Sequence, residues 1–284
     1  MEKQDILKST TQTRQIFSKK IVVIILLFTI LSAVFAATSL FLFDTELKAP
    51  EKPPSPFDVG GGSPDMILVV IIERLLMVIP VVLVIFLLRR EKISLSVLGL
   101  RVIEWKVLAK YFGIAFLIVI GMMAIDVVID FISSSFSGKP MAWSQTFMSK
   151  EKLLDTFPKE WNWKAEDIKA YMSGLALVTL IITMLVAITE ELFYRGLIQG
   201  LFMQWFRPLY AILLASFIFA FNHIMYWIVD GYNLASLPIP QFFVGIVLGG
   251  VYWKYKDISL PIIMHFLINL LPMLLFIIWV LIIL

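Results

Sequence analysis

MSGLALVTLIITMLVAITEELFYR, residues 172–195, combines two properties that conflict in lipid. Its first 18 residues, Met172 to Thr189, carry no charge. A run of that length covers most of a hydrocarbon core about 30 Å thick. Only a helix keeps every backbone N–H and C=O paired across such a run. The stretch is therefore a membrane helix, read as a span over Met172–Tyr194. It closes on Glu190, Glu191 and Arg195, and ionisable side chains at membrane depth are expensive enough to count as functional candidates by default.

The rest of the chain agrees with this reading. Of 284 residues, 60% are hydrophobic and 16% charged, with a mean hydropathy of +0.91. Soluble domains run near half apolar and a quarter charged, so a water-exposed globule is excluded. A net charge of +3 over so much apolar sequence gives no electrostatic footprint for nucleic acid. Cysteine is absent, which removes disulfides, thiol nucleophiles and cysteine-bound metals. Further spans are expected at Ile21–Phe43, Met66–Leu88, Val107–Ile132, Leu209–Val229, Leu237–Trp253 and Ile258–Leu284. Gly196–Phe206 is apolar but too short to cross, and reads as a half-helix. The fold class is all-α: a polytopic transmembrane bundle of about seven or eight membrane helices enclosing an intramembrane chamber. Glu46–Pro64 reads as a Pro- and Gly-rich loop, and Trp143, Trp161 and Trp163 mark an interfacial segment.

Residues 1–20 form a polar tail and residues 21–170 the N-terminal membrane helices with their connections. Val34-Phe35-Ala36 resembles a signal-peptide cleavage site, but the apolar run continues through Phe43 and favours an uncleaved anchor. Lys and Arg number five in the tail, five across Arg89–Lys106 and two at Lys254 and Lys256. The alternate loops hold Lys48 and Lys52, and none between Asp230 and Ser236, which places the amino terminus in the cytoplasm. The segment Gly138–Lys169 opposes this assignment with six lysines.

Three polar groups lie within apolar helices. They are Glu190-Glu191-Leu192-Phe193-Tyr194-Arg195, Phe219-Ala220-Phe221-Asn222-His223, and His265-Phe266-Leu267-Ile268-Asn269, which hold both histidines of the chain. Helical spacing pairs Glu191 with Arg195 as an ion pair and puts Phe219 with His223, and His265 with Asn269, on common faces. Glu190 lies about 100° round the helix from Glu191 and needs another partner or water. A carboxylate beside an imidazole can take a proton from water, and a second imidazole with an amide can donate to the oxyanion that follows. The same set suits a divalent metal held by Glu190, His223 and His265. Glu73 and Arg74 read as partners for other helices, and Asp126 and Asp130 as lying near the outer end of their span. Phe219 reads as packing, against His223.

Glu190-Glu191-x-x-x-Arg195, Phe219-x-x-x-His223 and His265-x-x-x-Asn269, in that order and each in its own helix, resemble the motifs of the CPBP family. That family includes CAAX prenyl endoproteases of the Ras-converting-enzyme type and bacterial Abi proteins. The resemblance spans about residues 170–284, so residues 171–284 are read as a CPBP-like catalytic core. It implies a chamber open to cytoplasm and lipid. It also implies that Glu190 activates water, His223 helps to hold it, His265 and Asn269 stabilise the oxyanion, and Glu191 and Arg195 support the first motif. A glutamate-dependent mechanism without a metal or other cofactor follows from the resemblance. No HExxH or Gly-x-Ser-Gly element of other intramembrane proteases is present.

The expected function is an intramembrane endopeptidase in a cell membrane or endomembrane. Its substrate is a membrane-associated protein or peptide cut near the carboxyl terminus, prenylated CAAX ends being one class, with no nucleic-acid partner. The alternative is a non-catalytic Abi-type immunity or scaffold protein that binds a peptide toxin or partner. One depth mismatch needs resolving: Glu190 is drawn near the end of its span, whereas His223 lies about 20 Å into its own. Either the fourth helix extends further than drawn, or Gly196–Phe206 turns back into the bilayer. The latter is expected.

Overall fold

The computed structural model describes residues 17–42, 64–101, 104–137, 164–224 and 238–284, and every regular element among them is helical. In chain order they are α1 (Lys19–Leu42), α2 (Pro64–Arg90), a 3₁₀ turn (Leu95–Leu98) and α3 (Trp105–Ser137). Next come α4 (Ala165–Glu191), a π segment (Leu192–Gln199), α5 (Gly200–Trp205), α6 (Pro208–Asn222), α7 (Ile239–Tyr255) and α8 (Ser259–Ile283). Among the described residues three runs are long and apolar enough to cross a membrane: Trp105–Ile125, the 41-residue run Ala165–Trp205, and Ser259–Ile283. The described residues therefore form an all-helical membrane protein. The segments with Trp143, Trp161 and Trp163, residues 43–63 and residues 225–237 lie outside the described residues, as do the side chains of Glu73, Asp126 and Asp130.

Two expectations need correction. Gly196–Phe206 does not turn back. The backbone stays right-handed helical through Leu192 (φ −60°, ψ −41°), Gln199 (−63°, −41°) and Gly200 (−57°, −42°), so α4, the π segment and α5 are one continuous rod. No proline interrupts it, and the chain reverses only at Phe206 and Arg207, where the backbone becomes extended. Pro208 then opens α6 at a position where its missing N–H costs nothing. The second correction concerns His223, placed within the span drawn as Leu209–Val229: it is the C-cap of α6, which closes at Asn222, and residues 225–229 of that span lie outside the described residues.

The first correction also removes the depth mismatch. Glu190 lies 15 residues before Trp205 and His223 lies 15 after Pro208. Each is therefore about 22 Å from the shared turn. A second level is set where a Cβ on Gly196 would meet Ile258 Cδ1 at 3.5 Å. From that contact Glu190 is six residues away along one helix and His265 seven along the other, about 9 and 10 Å. All three side chains come to the same layer.

The core has two main parts. Around Phe193, Tyr194, Leu197 and Ile198 of the π segment pack Ile21 and Ile25 of α1, Val84 and Leu88 of α2, and Phe219 of α6. The other part joins Ala115 and Val119 of α3 to Leu248 of α7 and Met264 and Leu267 of α8. Outward positions such as Leu117 and Ile282 are apolar and exposed, as a lipid-facing surface requires. At one end Gly99 adopts φ 76° and its carbonyl accepts from the Ile258 N–H at 3.1 Å, which ties the α2–α3 connection to the α7–α8 turn.

The crossing of α6 and α7 depends on small residues. A Cβ on Gly245 would stand 2.9 Å from Ser216 Cβ and 3.0 Å from its Cα, whereas one on Gly250 would meet nothing within 4 Å. Gly245 and Gly249 are four apart, the spacing that lets membrane helices approach closely. Gly245→Val should therefore lower the thermal midpoint in detergent at a cost of about 1–3 kcal/mol, while Gly250→Val leaves it nearly unchanged. Equal midpoints for the two variants would contradict this account of the crossing.

Candidate active site

Glu190 and Glu191 are the last two residues of α4, and the π segment follows at once. Residues 193–199 are all buried, so this wider turn faces protein on every side and each of its polar side chains needs an internal partner. A π turn within an α-helix often marks a functional site. Arg195, 1% exposed, donates from Nη1 to Glu191 Oε1 at 2.8 Å, which is the intrahelical pair expected from the spacing. Its Nη2 reaches the Gly245 carbonyl at 3.5 Å. Gln199 Nε2 donates to the Gly249 carbonyl at 2.9 Å. The two glycines therefore let α7 approach and also expose carbonyls to the π segment.

The same Glu191 oxygen receives a second donor. His265, on α8, gives its Nδ1–H to Glu191 Oε1 at 2.7 Å. That bond fixes the ring so that Nε2 faces Glu190 Oε2 at 3.7 Å. The residue read from sequence as a support for Arg195 thus also orients the imidazole. Asn269 follows one turn later on α8, half-buried and with no side-chain hydrogen bond among the described residues.

Glu190 is 1% exposed, and its partner is Arg74 of α2, which donates from Nη1 to Oε1. Oε2 is buried and has no hydrogen-bond partner among the described residues. A buried carboxylate oxygen in that condition is a place for a proton donor such as water. His223 gives its Nδ1–H to the Phe219 carbonyl at 2.7 Å, so in the neutral ring Nε2 carries the lone pair.

Phe219 joins these groups. Its ring centroid is 4.6 Å from that of His223 and 5.8 Å from that of His265, and the Arg195 guanidinium lies 4.5 Å above it. Tyr194 packs edge-on to it at 5.1 Å. Phe219 does pack against His223, but it also seats the other imidazole and the arginine. Glu190, Glu191, Arg195, Phe219, His223 and His265 are thus brought into one layer, with Asn269 on the adjoining turn.

Residues 172–271 match the family model described as type II CAAX prenyl endopeptidase Rce1-like. These residues are an Rce1-like domain. No curated protein and no solved structure matches the chain. The Rce1-like domain contains all the residues singled out in the three motifs and ends 13 residues before the carboxyl terminus. The family that this model describes is a protease family.

Sequence reasoning missed several residues that build the site. Arg74 was read only as a partner for another helix, although its charge within an apolar span was the available signal. Asn222 lies inside a quoted motif, yet its role comes from space: Nδ2 donates to Ser32 Oγ of α1 at 3.1 Å and to the Tyr194 hydroxyl at 2.5 Å. Gly245 and Gly249 were visible as a small-x-x-x-small pair. Among the described residues no group of three His, Asp or Glu side chains stands at metal-binding geometry.

Proposed function

We propose that this protein is an intramembrane, glutamate-dependent endopeptidase that hydrolyses a peptide bond near the carboxyl terminus of a membrane-associated substrate. The observation that carries this reading is the buried Glu190 Oε2, unpartnered among the described residues and 3.7 Å from His265 Nε2. A water about 2.8 Å from both atoms completes a triangle with ordinary hydrogen-bond lengths.

The steps follow from the groups present. The water gives a proton to Glu190 Oε2 while its oxygen bonds to the scissile carbonyl carbon, and His223 Nε2 accepts from the other O–H. The carbonyl π electrons move onto oxygen. Asn269 donates to that oxyanion, and the His265 ring, held through Nδ1 on Glu191, lines the same layer. The C–N bond then breaks as Glu190 returns its proton to the leaving amine. No metal enters these steps.

The chain is proposed to be multi-pass, with the amino terminus in the cytoplasm. The start of α1, the α2–α3 connection and the α7–α8 turn meet at one end, through Ser18 Oγ on Glu91 Oε1 (3.2 Å) and Ile258 N on Gly99 O (3.1 Å). That end gathers Lys19, Lys20, Arg89, Arg90, Lys254 and Lys256, the excess expected of a cytoplasmic face.

The test is cleavage by the purified full chain in detergent. A fluorogenic farnesylated CAAX peptide is cut, its unfarnesylated counterpart is cut more slowly, and a chelator leaves both rates unchanged. Loss of activity on chelation would sink the metal-free mechanism. Absence of cleavage of either peptide or of any membrane-extracted substrate would favour a binding role.

A further inference from the structure

We propose that Arg74, on α2 and outside the Rce1-like domain, is a positioning residue that occupies Glu190 Oε1 and leaves Oε2 as the oxygen that takes the water. This inference rests on the reading of Glu190 as the general base.

Among the described residues, no arginine or lysine of the domain is paired with its leading carboxylate. Glu190 is buried, and an ionised carboxylate there must be paired. The nearest cation in sequence, Arg195, gives Nη1 to Glu191, directs Nη2 at the Gly245 carbonyl and lies over the Phe219 ring. The charge comes instead from a residue 116 positions away in sequence. Arg74 reaches in from the rim of the site, with its side chain 27% exposed against 2% for Glu190.

The two carboxylate oxygens are thereby differentiated. Oε1 accepts from a permanently charged guanidinium, and Oε2 faces His265 without a hydrogen-bond donor among the described residues. A fixed, planar donor set also restricts rotation of the carboxylate, which a point charge on a flexible stem does less well. Without Arg74 either oxygen could swing toward water, and the attack geometry would no longer be unique.

The experiment uses the full chain with Arg74→Met, Arg74→Lys, Glu190→Gln and the Arg74→Met/Glu190→Gln double variant. It reads peptide kcat and KM together with the thermal midpoint in detergent. Arg74→Met should lower kcat about 10²-fold, as a small misplacement of a reacting group does, with KM little changed. Arg74→Lys should recover at least about tenfold of that loss by restoring the charge. Arg74→Met should also lower the thermal midpoint, and the double variant should regain it, because the neutral amide that replaces the Glu190 carboxylate no longer needs a cation. That thermal cycle reads the pairing without any substrate, even if Arg74→Met folds poorly. Near-wild-type kcat in Arg74→Met alongside an inactive Glu190→Gln overturns the positioning role and leaves the base assignment standing. An active Glu190→Gln overturns the base assignment itself. Failure of the double variant to regain stability means that Arg74 is not holding Glu190.

Discussion

Glu190→Gln lowers turnover about 10³-fold, within the 10²–10⁴ range for removal of a general base, and leaves the protein folded. Gln has nearly the same shape and keeps a carbonyl oxygen that can accept from Arg74, so the packing of the layer is preserved. It cannot take a proton from water, so no hydroxide equivalent forms at the scissile carbonyl. The check is single-turnover cleavage of the farnesylated peptide, which separates the chemical step from binding and release. A non-catalytic immunity or scaffold protein makes the opposite prediction, that the phenotype survives the substitution. Full activity in a folded Glu190→Gln protein would remove the proposed mechanism.

Arg195→Leu has the largest expected effect on stability. The substitution leaves Glu191, fully buried, without its guanidinium and removes the cation resting over Phe219. Breaking a buried ion pair from one side costs about 3–5 kcal/mol, because the remaining charge stays desolvated. The Gly245 carbonyl also loses a donor. Arg195→Leu should therefore lose most of its folded yield, or show a much lower thermal midpoint. Glu191→Leu/Arg195→Leu should be closer to wild type, since no lone charge remains. That double variant should still lack activity, because the ring of His265 is no longer held through Nδ1. If the single variant were as stable as wild type, the buried pair would have no structural weight.

The parts of the site that sequence made legible are those decided within one or two helical turns. Glu191 with Arg195, Phe219 with His223, and His265 with Asn269 are all four apart, and such pairs share a face whatever surrounds them. The helical membrane character was equally visible, because hydrophobic run length is a local quantity. Continuity of the fourth helix was not. After the charges of Glu190, Glu191 and Arg195 the apolar run Gly196–Phe206 is too short to cross by itself, yet Gly196–Trp205 continues the same helical rod once protein packs on every side of the π segment. The place of His223 was hidden for a related reason: hydropathy continues past Asn222, while α6 closes there with His223 as its C-cap.

What sequence alone determined is the class of molecule and the inventory: membrane helices that carry two adjacent carboxylates, an arginine, two histidines and an amide, in motifs resembling those of the CPBP family. Tertiary structure decided which of those groups meet. Arg74 meets Glu190 across 116 residues, His265 meets Glu191 across 74, and Asn222 meets Ser32 across 190. Such contacts depend on where rods cross and at what depth. Those are set by the turn at Phe206 and Arg207 and by the close approach at Gly245, and periodicity along one helix does not encode them.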